Sequence, residues 1–222
     1  MPGFLPSTGG LHFYNYYPHE PELQVPLPLG KSLALGDAAN DLCGGMVFAA
    51  RDYFDARRPI PSDTQPPAAG SPLYQFIVKR LMDSFNLPLG IARYLELMEA
   101  EFPDVSLGLG LPGRASVMLH DEWPRIKGDI DAGRLAPLGL IRVKSSDPRD
   151  LSKNHQVLTY GYDLEGSDLS LRLYDPNYPD RDDVRLQLSI ASAQVPVPLT
   201  YTPTESVYCF FYTPYTWREP PA

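Results

Sequence analysis

The chain has 222 residues, 43% hydrophobic content, 25 prolines and a formal net charge of −8. That length can bury one good core, and the apolar content with 14 tyrosines excludes a disordered chain. The acidic balance, with no basic stripe, excludes nucleic acid as a partner and disfavours acidic membrane surfaces.

No apolar run is long enough to span a bilayer, so no membrane insertion is expected. The start, Met1-Pro2-Gly3-Phe4-Leu5-Pro6, lacks the basic and apolar regions of a secretory signal. The expectation is a cytoplasmic protein, or one exported by a route independent of a signal peptide. Cys43 and Cys209 are the only cysteines, so no disulfide framework supports the fold. Two free thiols are expected, with Cys209 buried in a strand.

Residues 1–36, rich in Pro and Gly, read as a short strand followed by an extended arm. The first helix is predicted to start near Asp41, a good N-cap, with Cys43, Met46, Val47, Ala50, Tyr53 and Phe54 on its buried face. Arg57-Arg58-Pro59 close it. A second helix spans 72–85, and a third carries Ile91, Tyr94, Leu95 and Met98. Residues 103–114 read as a glycine-rich loop. Within it, Gly108-Leu109-Gly110-Leu111-Pro112-Gly113 matches a dinucleotide fingerprint as a string, but no strand precedes it and Pro112 sits where a helix should begin. A fourth helix is predicted over 122–132. The period then changes to alternation, with strands over 136–143, 156–163, 169–174, 184–188 and 207–213. A helical part over 37–132 and a strand-rich part over 133–222 make one α+β domain with segregated elements.

Three short motifs carry chemistry. Asn40-Asp41-Leu42-Cys43-Gly44-Gly45-Met46 puts a thiol at a helix start, where backbone N–H groups and the helix dipole favour a thiolate. The two glycines remove bulk that would keep an extended chain from the sulfur. Asn154-His155-Gln156-Val157-Leu158 places an imidazole on a strand, and Leu173-Tyr174-Asp175-Pro176-Asn177 ends the next strand with an acid. Two antiparallel strands joined at the Glu165-Gly166-Ser167 turn bring Asp175 beside His155. Cys43 as nucleophile, His155 as base and Asp175 as orienter make a nucleophilic triad, with Asn177 as the alternative orienter. Each residue also has a plainer use: cysteine is a common core residue, and Asp-Pro-Asn is a turn sequence whose Asp caps its own backbone.

These motifs, in this order, resemble the papain-like cysteine peptidases, and most closely the bacteriocin-leader-processing peptidases, which carry Cys-Gly-Pro, His-x-Val-x-x-x-Gly-Tyr and Asp-Pro blocks. The likeness covers about 37–188. It implies a papain-like fold with the nucleophile at a helix N-terminus packed on an antiparallel sheet. It also implies hydrolysis of peptide or amide bonds in a peptide or protein substrate through a thioester, with no cofactor and no metal. Transfer to an amine and deamidation share that thioester and are alternatives.

One departure bears on activity. Papain-like enzymes place a Gln oxyanion donor six residues before the nucleophile, and here that position is Asp37. Asn40 is the substitute donor, since its amide is neutral and near the helix start. Asp37, with exposed-looking tyrosines such as Tyr16, Tyr17, Tyr212 and Tyr215, motivates a rival reading: a catalytically silent papain-like module that binds a protein. The Asp180–Asp183 run reads as a solvated turn.

Overall fold

The switch of hydrophobic period along the chain corresponds to a switch from helices to an antiparallel sheet. The computed structural model describes residues 3–17, 23–26, 32–35, 42–107 and 110–221, with 23–26 and 32–35 as backbone only. Asp37, Asn40 and Asp41 lie outside the described residues, as do two glycine-loop positions, 108 and 109.

Helix α1 (Pro6–Gly9) precedes a two-stranded antiparallel sheet of β1 (Leu23–Pro26) and β2 (Ser32–Leu35). Where a short strand and an extended arm were expected over 1–36, the described residues hold a helical turn, an irregular segment over 10–17 with Phe13 and Tyr17 buried, and two paired antiparallel strands. Helix α2 (Cys43–Asp55) is the central helix, buried from Cys43 through Tyr53. Leu42 holds its N-cap position without a side-chain cap. Helix α3 (Pro72–Ser84) opens with Pro72, and the Ser71 hydroxyl accepts the Tyr74 N–H at 3.3 Å, satisfying one orphan donor. Helix α4 (Leu89–Met98) buries Ile91, Tyr94, Leu97 and Met98.

The fourth predicted helix is longer than its sequence signal. A helical run starts with α5 (Arg114–Ser116), widens into a π-helical stretch (Val117–Glu122) and continues as α6 (Trp123–Asp131). Pro124 lacks an N–H, so it reads as a helix start, and the wider turns lie immediately before it.

The rear half is a six-stranded sheet of β3 (Ala136–Ile141), β4 (His155–Glu165), β5 (Asp168–Tyr174), β6 (Arg185–Ser189), β7 (Thr200–Tyr201) and β8 (Cys209–Tyr212). The order is β7-β6-β5-β4-β3-β8, and every pairing is antiparallel. The fold is thus α+β. Strand β4 is buried on both faces. Val157 joins the main core with α3, α4, α6 and Cys209, whereas Leu158 joins Phe4, Val47, Phe48, Tyr160 and Tyr174 in a second cluster. That clustering presses α2 against the sheet and puts its first residue beside the start of β4.

The glycine pair serves helix packing. A Cβ at Gly45 would sit 2.1 Å from the Ile77 carbonyl oxygen. One at Gly44 would meet Ser84 Oγ at 2.3 Å and Gln156 Nε2 at 2.6 Å. The missing bulk therefore admits α3 and Gln156 rather than an extended chain at the sulfur. Among the described residues, no helix is long and apolar enough to cross a membrane.

Candidate active site

Cys43 and His155 line one cavity of about 30 Å³, together with Leu81 and Phe85 from the α3 end, Tyr94 from α4, and Leu151, Ser152, Asn154 and Gln156. Leu151 and Ser152 belong to a 3-10 helix (Pro148–Lys153) that delivers the chain into β4. Cys43 is 7% exposed and His155 is 3% exposed, so the pair is largely withdrawn from water.

Sheet register brings in the acid. Leu158 pairs with Tyr174, so the next residue, Asp175, falls level with Val157, one same-face step from His155. His155 Nε2 stands 2.7 Å from Asp175 Oδ1. That contact commits one ring nitrogen and leaves Nδ1 for the sulfur. Burial disfavours the charged ring, but the Asp175 carboxylate and the Cys43 sulfur outweigh it through charge and hydrogen bonding, raising the His155 pKa to about 10.

Asp175 is fully enclosed, at 1% exposure, and both of its oxygens are used. Oδ1 also accepts the Asn177 N–H at 2.8 Å, and Oδ2 accepts the Tyr201 hydroxyl. Burial pushes this acid up, yet His155, Tyr201 and the Asn177 N–H together hold it below the usual 3.8. The turn reading and the ion-pair reading of Asp175 are therefore both present, at one oxygen. The Asn177 side-chain oxygen accepts from Asn15 Nδ2 at 3.2 Å, so its partner is the N-terminal segment, and the bond to the His155 ring is made by Asp175.

That segment also covers the loop after β5. Asn15 N donates to Pro176 O at 3.1 Å, the Tyr174 hydroxyl receives the Leu11 N–H at 3.3 Å, and Ser7 donates to Asp182. His12 Nδ1 lies 2.5 Å from Asp180. The acidic run is a turn with Asp180, Arg181 and Asp183 exposed, as read, and its Asp180 and Asp182 also anchor His12 and Ser7.

Several residues here gave no warning in the sequence. Tyr94 donates to the His155 carbonyl at 3.2 Å. The Gln156 amide donates to Ser84 Oγ at 3.1 Å, which in turn donates to Leu81 O at 2.8 Å. Tyr201 comes from the two-residue strand β7, far along the chain from Asp175. Tyr94 and Gln156 put a polar group on a mostly apolar buried stretch, a signal that many structural residues also show, whereas Tyr201, between exposed Thr200 and Thr202, gives none.

Two other buried groups have structural uses. Glu122 is buried and accepts from Arg93 at 2.9 Å and from Tyr212 N at 3.0 Å. Burial pushes the Cys209 thiol up to about 12, which leaves it inert at neutral pH. Among the described residues, no group of three His, Cys, Asp or Glu is arranged to hold a metal ion.

No family model matches the chain, and no curated protein or solved structure matches it either.

Proposed function

We propose that this chain is a papain-like cysteine hydrolase that acts on peptide or amide bonds. The observation that supports it most is the His155 ring, held by Asp175 at 2.7 Å through Nε2 and flanked by Cys43 at the start of α2. A nucleophile, a base and an orienting acid in contact are what acyl transfer through a thioester requires.

In this reading His155 takes the Cys43 proton, giving a thiolate and an imidazolium. The thiolate attacks the substrate carbonyl carbon, forming a C–S bond as the carbonyl π pair moves to oxygen. The backbone N–H of Cys43, at the helix start, faces the developing oxyanion. Collapse reforms the C=O, and the C–N bond breaks as His155 passes its proton to the leaving amine. Water then gives a proton to His155 and attacks the thioester, and a second collapse releases the acid and returns the proton to sulfur. Asp175 stays ionised throughout and fixes the ring. Deamidation and transfer to an amine differ only in the amide attacked or in the group that takes the place of water.

Iodoacetamide labelling with peptide mapping tests this. Cys43 is expected to react and Cys209 not to, with Cys209 reporting any unfolding. His155→Ala is expected to slow Cys43 labelling about 10²-fold. Equal rates with and without His155 would sink the proposal.

A second reading, the catalytically silent protein-binding module, is favoured by one observation. The thiol is 7% exposed and its cavity, about 30 Å³, has room for about two waters. Tyrosine exposure adds little to it: Tyr16 is exposed, but Tyr17 is buried and Tyr212 and Tyr215 are only partly exposed. His155-dependent labelling with no hydrolysis across a mixed library of peptide amides would favour this second reading.

A further inference from the structure

We propose that Tyr201 is a positioning residue for the candidate site, its hydroxyl fixing the rotamer and the charge of Asp175 so that the His155 ring stays turned toward Cys43. This rests on the cysteine-hydrolase reading above and adds a fourth member to it.

The geometry separates this role from simple packing. Tyr201 is 3% exposed and sits on β7, a strand of two residues that pairs with Leu186 and Gln187 of β6 at the edge of the sheet. A phenylalanine would fill the same apolar site. The hydroxyl instead reaches inward to Asp175 Oδ2, while Oδ1 takes His155 Nε2 and the Asn177 N–H. With donors on both oxygens, the carboxylate cannot rotate without losing one of them. Burial and the neighbouring carboxylate push the Tyr201 pKa well above its ordinary 10, so the phenol remains a donor at every working pH.

Other groups act on this acid. Tyr174 from the end of β5, and Tyr178 in the loop that follows, both sense the Asp175 charge, and Tyr174 also senses Asp180. Tyr178 donates to Glu205 at 3.0 Å, and Glu205 pairs with Arg142, so these two charges largely cancel beyond Tyr201. Among these groups, Tyr201 and His155 are the side chains that donate to the Asp175 carboxylate.

Loss of the hydroxyl removes a bond to the charged form, so Asp175 should protonate at higher pH. A dipyridyl disulfide probe of Cys43, followed from acid to neutral pH, reads this out. In Tyr201→Phe the acid fall in labelling is expected to move up by about one pH unit, with a change of less than about three-fold at pH 7. In an Asp175→Asn background the same substitution should add nothing, because it acts through that carboxylate. Superposable profiles, or an equal shift in both backgrounds, would overturn the proposal. If Tyr201→Phe does not fold, NMR of the unaltered protein decides. A protected downfield hydroxyl proton that moves upfield in Asp175→Asn supports the role, and its absence overturns it. Insensitivity of labelling to His155→Ala would be a separate failure, that of the hydrolase reading itself.

Discussion

Among the described residues, two buried aspartates look alike and behave differently. Asp175 meets His155, the Tyr201 hydroxyl and the Asn177 N–H. Asp52, on α2, meets Arg80 from α3 at 2.7 Å, the Tyr215 hydroxyl at 2.6 Å and the Arg218 N–H at 3.0 Å. Each is a carboxylate, a cation, a tyrosine and a backbone donor. Asp175 is held below the usual carboxylate pKa, whereas burial outweighs the same kinds of partner at Asp52 and holds it above. The cations differ more. A guanidinium keeps its proton at any working pH, so Arg80–Asp52 is a fixed tie. An imidazole can give its proton up, so His155–Asp175 is a pair that titrates.

The fixed tie also has a structural job. Arg80 Nη2 donates to Thr216 O at 2.8 Å, Arg218 pairs with Asp83, and Arg58 donates to Pro220 O at 2.8 Å. These bonds strap residues 215–221 across α2 and α3, with Arg51 stacked 3.7 Å over the Tyr215 ring. Breaking the tie should therefore give the largest stability effect in the molecule. Arg80→Ala leaves the Asp52 carboxylate buried without its countercharge, and a loss of about 3–5 kcal/mol is expected in urea unfolding. A loss under about 1 kcal/mol would mean that Asp52 takes up a proton at little cost, and that the tie holds nothing.

Stability against pH sharpens the contrast. His155, at about 10, lies above its ordinary 6.5. Its contribution is complete below the ordinary value and is lost as pH rises through about 10. Asp175, lowered from 3.8, contributes fully above that value and loses its contribution as pH falls through its folded pKa. Asp52 has the opposite sign: its raised pKa means the folded form binds the proton more tightly, so acidification through that range favours folding. Urea midpoints measured from acid to alkaline pH should show Asp175→Asn flattening the acid loss and Asp52→Asn steepening it. His155→Gln should flatten the alkaline loss. The same slope change in both Asp variants would contradict the opposite shifts.

How far each cluster was legible in the sequence follows from the range of its contacts. Helices α2, α3 and α4 and strands β3 to β6 and β8 show themselves through local period, because one face of each meets a core. The nearness of His155 and Asp175 was readable from the hairpin joined at Gly166, but their common face was not, because a register shift between Thr159 and Gly161 sets Asp175 level with Val157 instead of Leu158. The pair of β1 and β2 was not, because proline in and around Leu23–Pro26 erases a strand signal. Strand β7 was hidden for the same reason, being two residues among Pro196, Pro198 and Pro203. Tyr201 and Tyr215 could not have been matched to their acids, because each bond joins segments with no local pattern relating them. The role of Gly44 and Gly45 was misread for a similar reason: the sequence shows that bulk is absent but not what occupies the space.

The mildest test asks whether the two clusters are independent. Tyr215→Phe removes one hydroxyl from Asp52 and leaves the ring, with its edge contact to Phe48 at 5.2 Å, in place. One hydrogen bond to a charged acceptor is lost, which should cost about 1.5 kcal/mol in urea unfolding. Partial compensation comes from Arg80 and the Arg218 N–H, which still meet the carboxylate. Cys43 labelling, and its dependence on pH, should not change at all. Tyr201→Phe is its mirror image, with a modest stability cost and a displaced acid limb. Because α2 carries Cys43 at one end and Asp52 near the other, a shift of the helix would transmit one change to the other. If Tyr215→Phe displaces the acid limb as Tyr201→Phe is expected to, the helix couples the two acids, and the division into a fixed tie and a titrating pair fails.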